Sequence, residues 1–175
     1  SKQEAFRLDS NYEDICAVMA DVNKDGYQDI VVGSGGNEYF GKDKHMMPRV
    51  YLNSANGQFS VLNEAIPIYN QSSAIVARDF NQDGSVDLLI TSRVTAMDYG
   101  APTDSYLLYN TGDGHFKNVT ASVAPDLIGI GFITSATEMD VNKDGKMEIL
   151  LTHQWGGIDV LFPSKNKWTK TGVSS

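Results

Sequence analysis

Three short stretches of this sequence concentrate oxygen-bearing side chains at one spacing. They are Asp21-Val22-Asn23-Lys24-Asp25-Gly26-Tyr27-Gln28-Asp29, Asp79-Phe80-Asn81-Gln82-Asp83-Gly84-Ser85-Val86-Asp87 and Asp140-Val141-Asn142-Lys143-Asp144-Gly145-Lys146-Met147-Glu148. In each, positions 1, 3, 5 and 9 carry a carboxylate or an amide, and position 6 is glycine. A hard cation such as Ca2+ takes roughly six to eight oxygen ligands at about 2.3–2.6 Å, and a chain curled around it offers alternate residues inward. The spacing therefore predicts up to three calcium loops. The first takes side-chain oxygens from Asp21, Asn23, Asp25 and Asp29 with the carbonyl of Tyr27. The second uses Asp79, Asn81, Asp83 and Asp87 with the carbonyl of Ser85, and the third Asp140, Asn142, Asp144 and Glu148 with the carbonyl of Lys146. Glu148 keeps the charge but adds a methylene, so the third site is expected to be the weakest.

Two other chemistries could explain one such stretch. Asn-x-Asp-Gly is common turn chemistry between strands, but three copies starting at 21, 79 and 140, 58 and 61 residues apart, read as a structural repeat. An EF-hand loop starts alike but requires a bidentate Glu at position 12 and flanking helices. Position 12 holds Val32, Ile90 and Leu151, inside apolar runs, which excludes it.

The elements that must position these loops are short and β-branched. Ile15 to Ala20 leads into the first loop and Ile30-Val31-Val32-Gly33 leaves it; Arg49 to Asn53 and Gln58 to Leu62, joined by an Asn56-Gly57 turn, complete a four-strand unit. The second unit repeats this with Ile75 to Arg78, Leu88 to Thr91, Ser105 to Asn110 and Phe116 to Val119. The third has Ile133 to Met139, Ile149 to Thr152, Ile158 to Phe162, and Trp168 in place of Phe59 and Phe116. Linkers are expected over 70–74 and 125–131. Residues 1–12, with Phe6 in a stretch like the one around Phe59, are expected to be an outer strand of a preceding unit, followed by units at 13–70, 71–131 and 132–175 in one continuous array.

The bulk composition agrees with an oxygen-liganded array. Formal net charge is −8 and the pI is about 4.7, which disfavours nucleic acid and anionic membranes as partners. Nine of the 22 carboxylates lie in the loops, so three divalent ions, adding six positive charges, would move the formal charge to −2. Cys16 is the only cysteine and sits in an apolar run, so it reads as a structural thiol. No apolar run approaches the roughly 18 residues of a membrane span, and no signal-peptide pattern opens the sequence. Low-affinity calcium loops suit extracellular calcium, so an extracellular, cell-surface or periplasmic location is expected. Asn70-Gln71-Ser72 and Asn118-Val119-Thr120 are sequons compatible with it.

The acidic loop followed by an apolar strand, with Tyr51-Leu52-Asn53…Gly57-Gln58-Phe59, Tyr109-Asn110…Gly114-His115-Phe116 and Ala124-Pro125, resembles the FG-GAP/VCBS repeat family of integrin-α-like β-propellers. The form associated with ASPIC/UnbV domains is the most similar. The resemblance implies an all-β propeller segment of three four-stranded antiparallel blades, with Ca2+ between strands 1 and 2. Three blades do not close the usual seven-blade ring, so further blades from a longer parent chain or from self-association are expected.

In an up-and-down blade, consecutive loops lie on opposite faces. The long insertions after the second strands should thus face away from the metals. Their Tyr39, Phe40, His45, Met97, Tyr99, His153 and Trp155 are the candidate surface for a protein or glycan ligand. His45 and His153 as a metal pair is a minor alternative, as is packing of these aromatics on one another. No catalytic motif appears. The expected function is non-catalytic, extracellular calcium-dependent binding. The alternatives are a lectin-like propeller and the non-catalytic part of a polysaccharide-active enzyme.

Overall fold

The computed structural model describes residues 4–36, 38–95 and 97–173. Their twelve strands form three four-stranded antiparallel sheets in plain sequential order. The first contains β1 (Asp14–Ala20), β2 (Asp29–Ser34), β3 (Arg49–Asn53) and β4 (Phe59–Leu62). The second contains β5 (Gln71–Arg78), β6 (Asp87–Val94), β7 (Tyr106–Asn110) and β8 (Phe116–Asn118). The third contains β9 (Ile133–Met139), β10 (Glu148–His153), β11 (Ile158–Phe162) and β12 (Thr169–Val173). These are the propeller-like blades anticipated from the repeat.

The sheets stack face to face, and the alternation of side chains along each strand decides which core each residue enters. In the first sheet Val18, Val31, Val50 and Leu62 are cross-strand partners on one face, and they pack against Leu88, Ile90 and Leu108 of the second. The other face of that middle sheet sends Val76, Leu89 and Leu107 against Ile149, Leu151, Leu161 and Trp168 of the third. Being covered on both sides, β6 buries Leu88, Leu89 and Ile90 in succession. That is why it reads as a continuous apolar run rather than an alternating one. Burying each such side chain contributes about 1.5–3 kcal/mol.

Every inner strand pair carries a bulge at the end away from its acidic loop: between Asp14 and Cys16, between Gln71 and Ala74, and between Thr152 and His153. The extra residue locally increases strand twist there.

Two expectations require correction. Glu4–Leu8 is a helical turn, α1, and not an outer strand. Its residues are good helix formers, and Phe6 lies against Tyr51 and Phe59 with centroids 4.9 and 5.2 Å apart. It resembles the Phe59 stretch in sequence but packs on it instead of occupying an equivalent place. Residues 1–3 of that expected strand lie outside the described ones.

The linker expected over 70–74 is largely the start of β5, which pairs Gln71 with Val94 and Ser72 with Ser92 despite its polar side chains. Within 125–131, Pro125–Leu127 forms a 3-10 turn after the short helix α2 (Thr120–Val123). Leu127 is fully buried, and its carbonyl accepts from the Ser105 N–H at 2.9 Å.

Candidate metal loops and the insertion face

Each acidic loop joins the first two strands of its sheet, and the three are near-copies. The N–H of position 5 donates to the position-1 carboxylate, from Asp25 to Asp21 (3.1 Å), Asp83 to Asp79 (3.1 Å) and Asp144 to Asp140 (3.2 Å). The glycine N–H donates to the other oxygen of the same carboxylate at 2.9, 2.8 and 3.0 Å. The position-3 amide donates to the position-5 carboxylate at 2.9, 2.9 and 3.1 Å. Backbone conformation repeats as well: Lys24, Gln82 and Lys143 at position 4 have φ of 63°, 61° and 62°. Gly26 and Gly145 have φ of 88° and 84°, with open space where a Cβ would stand. It is the left-handed backbone, not crowding, that requires glycine there.

Position 9 behaves differently. Asp29, Asp87 and Glu148 begin β2, β6 and β10 and are buried, at 0%, 0% and 3% exposure. The Asp29 carboxylate accepts from the N–H groups of Val22 (2.9 Å) and Asn53 (2.8 Å). Asp87 accepts from Phe80 (3.0 Å), Asn81 (3.3 Å) and Asn110 (2.9 Å). Asp29 and Asp87 thus tie their loops to the end of the third strand.

In the third sheet the register shows a further difference beside Glu148. Ile30 pairs with Tyr51, Leu88 with Leu108 and Ile149 with Leu161, so the residue equivalent to Asn53 and Asn110 is Pro163. Proline has no N–H to give. Glu148 accepts only from Val141 N–H (2.9 Å) among the described residues.

Burial pushes the Asp87 carboxyl up to about 6, against the opposing pull of its three N–H donors, and pushes Asp29 upward for the same reason. No Lys or Arg among the described residues pairs with either. At the rim of the second loop the Ser85 N–H, aided by the Asn81 amide and the Lys24 charge, holds Asp83 below its ordinary range.

An oxygen-only donor set with three carboxylates, one of them buried beside no cation of the chain, fits a hard divalent ion. Among the described residues no three acidic, His or Cys side chains are drawn together in metal-holding geometry. The carboxylates of positions 1 and 5 are turned onto the loop's own N–H groups.

The insertions lie at the opposite ends of the sheets, and their aromatic residues form two clusters rather than one surface. In the first sheet Tyr39 stacks on His45 (4.0 Å, 16°), whose Nδ1 is 2.7 Å from Asp43. Tyr12 adds its ring at 4.7 Å and carries the Arg49 guanidinium 3.8 Å above its centroid. Buried Arg49 pairs with Asp9 and Asp14, an arrangement that sequence reasoning missed.

The other cluster spans the second and third units. Tyr99 and Trp155 meet edge to face at 5.5 Å, Phe132 joins at 5.2 Å from Trp155, and Gln154 donates to the Tyr99 hydroxyl at 3.0 Å. Tyr99 and Trp155 remain 67% and 58% exposed. Phe40 and Met97 are exposed outside either cluster. His153 Nε2 lies 3.1 Å from Asp159. Each histidine is thus held by an aspartate of its own unit, His45 by Asp43 and His153 by Asp159.

Three sheets of this topology, each with one acidic loop and an insertion face opposite, define a propeller-like repeat module. Residues 21–90 match the family described as FG-GAP-like repeat. It is also similar to phosphatidylinositol-glycan-specific phospholipase D of Mus musculus, 27% identical over 169 residues, covering 87% of this chain and 20% of that protein. The Bos taurus protein of the same name is 27% identical over 148 residues, covering 75% of this chain and 17% of its own length. The chain therefore spans about a fifth of the length of these relatives. Among the described residues no helix is long and apolar enough to cross a membrane.

Proposed function

We propose that this chain is a calcium-stabilised, non-catalytic binding module working outside the cytoplasm, with its partner, a protein or a glycan, on the insertion face. One observation carries the reading. The same oxygen-bearing loop is built three times with the same hydrogen bonds and backbone conformation, each anchored by a buried position-9 carboxylate. Asp21, Asn23, Asp25 and Asp29 would hold the first ion, Asp79, Asn81, Asp83 and Asp87 the second, and Asp140, Asn142, Asp144 and Glu148 the third. The carbonyls of Tyr27, Ser85 and Lys146 complete these sets. A bound ion supplies positive charge at each junction, and the unfolded chain cannot assemble the donors, so binding free energy becomes folding free energy. Kinship with the ASPIC/UnbV-associated form of the repeat belongs to this proposal.

The names of the relatives favour a second reading, in which this chain is the non-catalytic repeat portion of a larger enzyme. It leaves the role of the loops unchanged. Either way, Asp83→Ala is expected to lower the melting temperature in calcium and to have far less effect in chelator. Equal destabilisation in both buffers would refute the ligand assignment.

A further inference from the structure

Of the two Asn-x-Ser/Thr sequons, the structure exposes the asparagine of one and buries that of the other. Asn70 is 5% exposed, its Nδ2 donates to Ser92 Oγ at 3.1 Å and its Oδ1 accepts from Ser72 Oγ at 3.2 Å. A sugar on that nitrogen would break a buried network where β5 meets β6. Asn118 is the last residue of β8, the outermost strand of the middle sheet. It is exposed, and among the described residues its Nδ2 has no partner. Its Oδ1 accepts from both the N–H (3.0 Å) and the hydroxyl (2.7 Å) of Thr120. The sequon is thereby closed on itself through the amide oxygen, and the amide nitrogen points free.

We propose that Asn118 is an N-glycosylation site and that Asn70 stays unmodified in the folded protein. The proposal rests on the extracytoplasmic reading above. In the reaction, the Asn118 amide nitrogen attacks C1 of the reducing-end sugar of a lipid-pyrophosphate-linked oligosaccharide. The nitrogen–C1 bond forms, the C1–oxygen bond to the pyrophosphate breaks, the lipid pyrophosphate leaves and the amide loses one proton. No oxidation or reduction occurs.

The position has a physical use. β8 is the outer strand of its sheet, where the Phe116 N–H already donates to Ala65 O at 2.8 Å, and a glycan on Asn118 would help to keep this edge from pairing with another chain. It would do so without entering either inter-sheet core, because Phe116 alone of the three β8 residues points inward.

The test is to direct the chain through a eukaryotic secretory pathway behind an added signal peptide and map glycans on the secreted product. Peptide:N-glycosidase treatment in heavy-oxygen water marks each modified asparagine. The expected result is one modified position, Asn118, absent in N118Q and unchanged in N70Q. A secreted chain bare at Asn118, or one whose glycan sits at Asn70, would overturn the proposal. The signal peptide fixes the route, so such a result counts against the site and not against the native location. That location is read separately, by fractionating cells that make the protein naturally.

Discussion

Asn110 and Asn53 occupy equivalent places, yet their removal should cost very different amounts. The Asn110 side chain is buried and makes four bonds. Its Nδ2 donates to Val22 O (2.8 Å) in the neighbouring sheet's loop and to Val86 O (2.9 Å), and its Oδ1 accepts from Gly112 N–H (2.8 Å) and Gly114 N–H (3.3 Å). Asn53 donates once, to Gln28 O at 3.1 Å, in a more exposed setting. Each satisfied bond is worth about 1 kcal/mol net, and a stranded buried group costs about 1–3 kcal/mol. Asn110→Ala should therefore lose about 3 kcal/mol, since the Gly114 contact is long and Gly112 is partly reached by water. Asn53→Ala should lose about 1 kcal/mol or less. For a chain of this size that is roughly 6–12 °C against 2–4 °C in melting temperature. Urea unfolding of both variants with and without calcium measures the difference, which should persist in chelator because the side chain touches backbone only. Equal losses, or a loss under 1 kcal/mol for Asn110→Ala, would refute the bridging role.

Two further outcomes follow from the loops themselves. In the metal-free protein the Asp87 carboxyl carbon should titrate near pH 6, as read by NMR, against an ordinary value of 3.8. Because the folded state binds this proton more tightly than the unfolded one, metal-free stability should rise as pH falls through 6, by about 3 kcal/mol at most, with the gain complete below the ordinary value. A carboxyl titrating near 4 would contradict the burial argument. In the third unit, Glu148→Asp together with Pro163→Asn should rebuild the missing link between carboxylate and third-strand N–H. A double-mutant cycle should show a favourable coupling of about 1.5 kcal/mol, and strictly additive effects would count against the register argument.

The sheets were legible because each acidic loop is flanked by short apolar runs such as Ile30-Val31-Val32 and Leu88-Leu89-Ile90, which only buried strands accommodate. Trp168 does stand where Phe59 and Phe116 stand, since the residue after it, Thr169, pairs with Phe162. Local pattern failed where tertiary packing decides. Phe6 looked like a strand residue because it is an aromatic among similar neighbours, but it packs upon the residue it resembles. Gln71 and Ser72 form strand through ladder pairing that their polar side chains do not advertise.

The partial legibility of the insertion face has the same cause. Tyr99 and Trp155 could be named from sequence as surface aromatics, whereas their meeting with Phe132 depends on how two sheets stack. Pro163 carried no signal by itself. Only the strand register shows it standing where two asparagines donate an N–H.

Calorimetric titration of the chelator-treated chain with calcium tests the central claim most directly. The account predicts three equivalents bound, the third more weakly than the other two. At a hundredfold excess over Kd each site adds about 2.7 kcal/mol of stability. Absence of binding at millimolar calcium would contradict it and leave the three loops as hydrogen-bonded Asp-Gly turns.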